Sequence, residues 1–317
     1  MRTDSSLSRR DFMAATTAAV CSSAFVSCGK GRVAEDSGLL VPRDNELPSG
    51  LFVARGKDPR ALVRAAVKKM GGLGLLVKKG DTVLVKPNIG WNRTPEQAAD
   101  TNPDVVAAVV ELVRQAGADK IIVLDHTCAD PRASYQNSGI GPAAKEAGAR
   151  VIYVRGAKDR RFVDIAFPQG KITKSWPLHA MITQADVLIN IPVVKHHAEA
   201  VATMGLKNMM GLAGGNRGIW HTDLANRICD MNQRVRVDLT VLDGYRVLLR
   251  NGPTGGSLAD VAERHTLAVS TDQVAADAFG ATLLDMKAED VPAVVEAASR
   301  AMGQMDLAEV DVTEISV

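Results

Sequence analysis

The sequence predicts an α/β protein, a mostly parallel sheet flanked by helices, built either as one large domain or as two lobes sharing a sheet. Three observations carry this. Short apolar runs such as Ile121–Leu124 and Val187–Ile191 have the length and uniformity of strands covered on both faces. Between such runs lie segments with apolar residues at helical spacing, such as Val106, Val109, Val110 and Val113. The order strand, helix, strand makes a right-handed parallel unit. With 317 residues a large core is available, and with aromatics at only 4% aliphatic side chains must fill it.

Residues 1–28 read as an address, 29–50 as a linker and 51–317 as the folded unit. Ser8-Arg9-Arg10-Asp11-Phe12-Met13 resembles a twin-arginine export signal, and the stretch that follows is too short and too rich in Ala, Ser and Thr to span a membrane. Phe25-Val26-Ser27-Cys28-Gly29 resembles a lipoprotein cleavage site, with Cys28 as the lipid-bearing residue; ordinary cleavage or an uncut anchor are the alternatives. The expected location is therefore the periplasm or the outer face of the membrane, reached through the twin-arginine machinery. Any membrane contact would be made through the signal or a lipid anchor.

The 38 basic and 36 acidic side chains leave a net charge of +2, and no basic run interleaves with aromatics, so nothing in the composition points to nucleic acid. Beyond the address only Cys128 and Cys229 remain, with no C-x-x-C spacing. That ligand count excludes a tetrathiolate iron–sulfur cluster or zinc site, and two unpaired small apolar side chains are expected rather than a disulfide.

The folded unit opens with a strand at Leu51–Ala54. Asp58 and Pro59 then cap and start a helix with Leu62, Ala65, Ala66 and Met70 on one face, ended by Gly71-Gly72. Thr82–Lys86 is the next strand, Asn102-Pro103 opens a helix reaching Ala116, and Lys120–Leu124 is a strand again. A helix at Gly141–Ala147, strands at Arg150–Val154 and Phe162–Phe167, and a short helix at Leu178–Gln184 lead to the strand Val187–Ile191. Pro192 is expected to stop that strand, because proline cannot donate to a ladder. Later elements are a helix at Leu224–Met231, strands at Asp238–Leu242 and His265–Val269, and a helix capped by Asp272 and reaching Met286. The tail, a helix near Val291–Met302 and a strand-like Glu309–Val317, carries no chemistry.

Polar groups gather where these strands end: Lys86 and Asn88, Asp125 and His126, Lys195 and His197, and Asp243. Parallel strands align their ends, and in open α/β sheets that edge binds ligands. Lys207 and Asn208 follow, then Gly211, Gly214, Gly215 and Gly218, whose backbone N–H groups can close around an anion with Lys207 and Arg217 adding charge. Each residue has a plain alternative: a solvated lysine, a turn-making Asn88 or glycine, an Asp125 that caps, a locally bonded histidine.

The motifs VLVKPN (83–88), NPDVVAAVVELVRQAGADKIIVLD (102–125), ADVLINIPVVKHH (185–197), MGLKNMMGL (204–212), DLTVLDG (238–244) and STDQVAADAFGATLL (270–284) occur in the order seen in domain-of-unknown-function family number 362, which the chain resembles over about 82–286. The resemblance implies an α/β fold and no settled reaction. The family pattern is lysine, threonine, histidine where this chain has Lys195, His196 and His197, so the resemblance supports His197 and leaves His196 without a role. His221 matches a histidine common after the family's glycine loop; an exposed loop imidazole is the alternative.

Two functions stay open. One is an exported enzyme acting on an anionic small molecule, with Lys195, His197, Asp125 and His126 catalytic and Lys86, Asn88, Lys207, Asn208, Gly214 and Gly215 holding the ligand. The other is a non-catalytic periplasmic protein that binds a ligand or cofactor. A divalent metal would draw on Asp125, His126, His197, His221 and Asp243; against it, Lys86, Lys195 and Lys207 make the site too positive for a cation. No G-x-S-x-G, H-E-x-x-H or strand-linked G-x-G-x-x-G is present. Replacing Arg9 and Arg10 with lysine should leave precursor inside the cell, and fractionation showing unchanged export would refute the signal.

Overall fold

The computed structural model describes residues 46–317. The expected export signal, Cys28 and the linker up to residue 45 lie outside the described residues. Among the described residues the strands are β1 (Leu51–Arg55), β2 (Thr82–Pro87), β3 (Lys120–Asp125), β4 (Arg150–Tyr153), β5 (Phe162–Ala166), β6 (Ser175–His179), β7 (Val187–Ile191), β8 (Val193–His197), β9 (Val201–Thr203), β10 (Leu239–Leu248), β11 (Val261–Ser270) and β12 (Val312–Ser316). The helices are α1 (Pro59–Lys69), α2 (Pro103–Gln115), α3 (Pro131–Asn137), α4 (Ile140–Glu146), α5 (Met181–Gln184), α6 (Gly205–Asn208), α7 (Leu224–Arg234), α8 (Gln273–Leu283) and α9 (Pro292–Ser299). Ten strands form one sheet in the order β12-β1-β11-β10-β7-β2-β3-β4, with β8 and β9 branching from β10, while β5 and β6 form a separate pair. The run β10-β7-β2-β3-β4 is parallel, and β11 joins β10 and β1 antiparallel.

Alternation along each strand divides the core. Val83, Val85, Val123, Val187 and Ile189 face α1, α2 and α4, whereas Leu84, Ile122, Leu124 and Leu188 face α7, α8 and α9. Each such side chain, fully buried, stabilises the fold by about 1.5–3 kcal/mol. The apolar run of β7 has one polar break, Asn190, on the second face. It is fully buried beside α6 and α8, where it serves the site rather than the core.

At the N-terminal edge of the sheet, carboxylates set the register. Asp186, before β7, accepts the Thr82 N–H at 2.8 Å, and Asp238, before β10, accepts that of Leu188 at 2.7 Å. Each aspartate thus ties the start of its own strand to its neighbour, and the opposite edge is left for chemistry.

Several expectations need correction. Pro192 interrupts the chain for one residue only, because its carbonyl accepts the Asp243 N–H at 2.8 Å and the ladder resumes as β8. Lys195, His196 and His197 therefore stand on a strand paired with β9 rather than in a loop. The expected helix at Leu178–Gln184 begins as β6, since pairing with β5 from Phe162 to Ala166 overrides local propensity, and only α5 is helical. β10 and β11 each run to ten residues, with a register shift between Gly244 and Arg246. Helix α3 went unanticipated; Asp130 caps it and Pro131 opens it. Leu47, placed in the linker, is buried against the core. Among the described residues no helix is long and apolar enough to cross a membrane.

The β5–β6 connection is clipped to the body by one buried side chain. Asp230 of α7 accepts N–H groups from Lys171, Ile172 and Thr173 at 2.6–2.9 Å and the Arg300 guanidinium at 2.7 Å. Asp230→Ala should destabilise the protein by about 3–5 kcal/mol, the usual cost of breaking a buried pair. Denaturant unfolding should show no more than about 1 kcal/mol for Asp285→Ala at the more exposed Arg264–Asp285 pair.

Candidate functional site

A cavity of about 970 Å³ opens at the C-terminal edge of the sheet, walled by the ends of β3 and β8, by β9, and by the turns at 88–91, 209–218 and 253–254. Its base rests on two buried ammonium groups. Lys86, with no exposed surface, lies 2.8 Å from Asp125 Oδ1 and also donates to the Pro87 carbonyl and Asn208 Oδ1. Burial lowers its pKa while Asp125 opposes the shift. Asp125 is held in turn by the Ile89 N–H at 2.6 Å, and Tyr135 braces its backbone. Gly211 presses on this pair so closely that a Cβ there would lie 1.7 Å from Asp125 Oδ1 and 2.6 Å from Lys86 Nζ.

Lys195 is almost as buried and donates to Asn88 Oδ1 at 3.1 Å, to the Pro253 carbonyl at 3.3 Å, and to the Ala99 carbonyl. Asp100 lies close by, behind Gly90; burial lowers the pKa of Lys195 and raises that of Asp100, and each charge opposes the shift of the other. From the lysines a line of amides runs inward, each NH2 donating to the next oxygen: Asn88 to Asn208 (2.9 Å), Asn208 to Asn190 (2.8 Å), Asn190 to Gln273 (3.2 Å) and Gln273 to Asn232 (2.7 Å). Asn232 ends the line on the carbonyls of Leu206 and Ile228.

Lys207 is different. Its ammonium group is half-buried in the cavity wall, and among the described residues its only hydrogen-bond contact is Met210 Sδ at 3.8 Å. Burial pushes its pKa down to about 8, with Lys195 as a further cause. Thr203, buried on β9 and also lining the cavity, has a hydroxyl with no hydrogen-bond partner among the described residues. Arg217 donates to the carbonyls of His126, Met210 and Thr127 and so ties two walls together.

The two buried histidines in the wall carry opposite tautomers. His126 Nδ1 sits 2.7 Å from the Ala213 carbonyl and must carry the proton, so Nε2 presents a lone pair. His197 Nδ1 accepts the N–H groups of Glu199 and Ala200, both at 3.1 Å, so its proton is on Nε2. Burial, then the charges of Lys207 and Lys195, push His197 down to about 3; burial and Arg217 also lower His126. His221 stacks on His197 at 6.1 Å and pairs with Glu199 at the rim.

The structure thus gathers Asn88, Asp125, His126, Lys195, His197, Lys207, Asn208, Gly215 and His221 around one cavity, with duties that differ from those expected. Lys86 supports the base and does not line the cavity. Both amide atoms of Asn88 and of Asn208 are committed to the internal line. Gly214 and Gly215 do not cradle an anion, because their N–H groups donate to the Pro177 and Ala157 carbonyls. Asp243 is absent from the wall; it accepts the N–H groups of Asn102 and Tyr245, and burial pushes it up to about 6. The expected metal set is therefore not brought together, and among the described residues no three His, Cys, Asp or Glu side chains are grouped to hold an ion. Sequence reasoning missed Thr203, Trp91, Asp100 and Glu199, which lie outside any strand-end pair. Cys128 and Cys229 are unpaired, and Cys128 is exposed in the wall instead of packed as a small hydrophobe.

The fold is an open α/β sheet with a cationic cavity at its C-terminal edge, the edge at which such sheets generally bind ligands. The chain belongs to the family described as "Domain of unknown function (DUF362)", whose model matches residues 83–282. It is 32% identical over 240 residues to the thylakoid-associated protein sll1697 of Synechocystis sp., covering 73% of this chain and 72% of that one. Among solved structures it is similar to the lactate racemase apoprotein from Thermoanaerobacterium thermosaccharolyticum, with 11% identity, a TM-score of 0.44, and coverage of 70% of this chain and 54% of that one. A Thermotoga maritima protein gives 11% identity, a TM-score of 0.42, and coverage of 77% and 60%.

Two outcomes follow from this geometry. Nitrogen NMR of histidine-labelled protein should show His126 as the Nδ1–H and His197 as the Nε2–H tautomer. His197 should stay neutral well below the ordinary imidazole value of about 6.5. Because its folded pKa is depressed, its contribution to stability is complete above about pH 6.5 and is lost as pH falls toward 3; a protonated His197 at pH 6 would contradict this. Gly211→Ala should lower stability by about 1–3 kcal/mol through overpacking, read from the denaturant midpoint.

Proposed function

We propose that this is an exported enzyme that binds an anionic small molecule in the strand-end cavity and moves a proton on it. The observation that carries the reading is Lys207: an ammonium half-buried in a cavity wall, whose only hydrogen-bond contact among the described residues is a thioether, is a group prepared for an anion. The unpartnered Thr203 hydroxyl and the Nε2–H of His197 are further donors in the same wall, and Lys195 and Arg217 add field. Of the carboxylates in the wall, Asp125 is neutralised by Lys86, and Glu199 lies mostly exposed at the rim against the His221 ring.

His126 is the proposed base. Of the two buried imidazoles in the wall it is the one whose free ring nitrogen is an acceptor, its lowered pKa keeps it neutral, and Arg217 holds its backbone carbonyl in place. Lys195 then acts as a positioning charge, because all three of its N–H groups are spent on protein oxygens. The export reading rests on Arg9-Arg10 in its motif; transport of a folded chain suits a site that is complete only after folding.

Calorimetry with small carboxylates and phosphate should show binding that Lys207→Met reduces by about 10²-fold, in keeping with the loss of a charge-assisted contact of roughly 2–3 kcal/mol. For an anion that binds, proton NMR in D2O should show exchange or conversion that His126→Asn slows by about 10²–10⁴-fold with affinity kept. Binding without exchange or conversion of any bound anion would favour the non-catalytic reading, and unchanged binding in Lys207→Met would refute the anion site.

A further inference from the structure

The cavity is much larger than its anion-holding groups require. At about 970 Å³ it is near the top of the roughly 300–1,000 Å³ range that takes a drug-sized ligand. A lone phosphate or carboxylate displaces only a few waters, at about 30 Å³ each. Part of the remaining wall is apolar, with Trp91, Met210, Pro253 and Ala198 beside the polar groups.

Trp91 is the informative member. Its backbone N–H is anchored to Asp100 Oδ1 at 3.0 Å, so the chain is fixed at that point. Its indole, half-buried, makes no ring contact and no hydrogen bond with any described residue. Trp176 and Trp220, by contrast, pack edge to face at 5.4 Å, and Trp176 donates to the Gly214 carbonyl. A half-buried indole in a cavity wall, with no ring partner among the described residues, can serve as a stacking platform for a flat partner.

On the footing of the anion-binding reading above, we infer that the ligand is an organic anion with a flat aromatic body, its charged group held at Lys207 and its ring laid against Trp91. An aromatic carboxylate and a nucleoside monophosphate share that chemistry. The cationic wall holds either head group, and Trp91 is indifferent to which ring it covers.

The test compares matched pairs on the purified, exported protein: acetate with 2-naphthoate, and inorganic phosphate with adenosine 5′-monophosphate, followed by calorimetry and tryptophan fluorescence. At least one aromatic anion should bind about tenfold or more tightly than its simple partner, as stacking on one aromatic side chain predicts, with quenching of Trp91. The pair that shows the advantage identifies the head group. Trp91→Ala should erase the advantage and leave simple-anion binding intact; Trp91→Leu, which keeps apolar bulk without a ring, should do the same and guards against a folding defect. Equal affinity for simple and aromatic anions, or an advantage that survives both variants, overturns the inference while the anion site stands. Absence of binding by every probe, or binding untouched by Lys207→Met, removes the anion site and this inference with it.

Discussion

Two ammonium groups held out of water are the constraint on which the rest of the site depends. Taking an ion out of water costs several kcal/mol unless its hydrogen bonds are replaced. Lys86 has Asp125 as a counter-charge, but Lys195 has neutral oxygens at its three N–H groups and only the buried Asp100 behind. An ammonium has no acceptor, so every amide that meets it must present oxygen. Asn88 does so to Lys195 and Asn208 to Lys86; their NH2 groups are thereby directed inward, and the orientation passes through Asn190 and Gln273 to Asn232. A single reversed amide in that line would set donor against donor. Polar side chains in β7 and α8, which lie away from the cavity, are thus explained by charges at its base.

The same charges decide the state of the wall. Burial disfavours a proton on either ring, and Arg217 beside His126 and Lys207 and Lys195 beside His197 add like charge, so both rings stay neutral. Neutral imidazoles have one donor and one acceptor, and the protein uses backbone groups to choose which nitrogen faces inward. His126 gives its proton to a carbonyl and His197 accepts two amides, so one ring offers a lone pair and the other a donor. Lys207 completes the arrangement by bringing charge with no oxygen among the described residues to meet it. A wall so rich in ammonium and guanidinium groups repels a bare dication, whatever imidazoles it contains.

Much of the fold was legible in the sequence, because burial on two faces leaves uniform apolar runs and helix starts carry Asp or Asn with Pro, as at Asp58-Pro59 and Asn102-Pro103. What escaped was decided by pairing. β6 and β8 have no strand pattern strong enough to announce them: Pro177 lies inside one and Pro192 just before the other, and each exists because a partner strand supplies the ladder. Several residues that line the site, Asn88, Asp125, His126, Lys195 and His197, were visible as polar groups at strand ends. Their duties were not, since whether a lysine supports, positions or binds depends on how many oxygens surround its nitrogen.

Family membership, the sequence positions of the strand-end polar groups and the excess of lysine near one edge are determined by the sequence by itself, because they depend on residue type and order along the chain. The tertiary structure alone decided that Asp243 and Gly214 turn away, that Lys86 is sealed beneath Gly211, that Trp91 and Thr203 come to the cavity from distant segments, and that Lys207 meets no oxygen among the described residues. Those facts are distances between atoms far apart in the chain, and hydrogen bonding and charge act on distances in space.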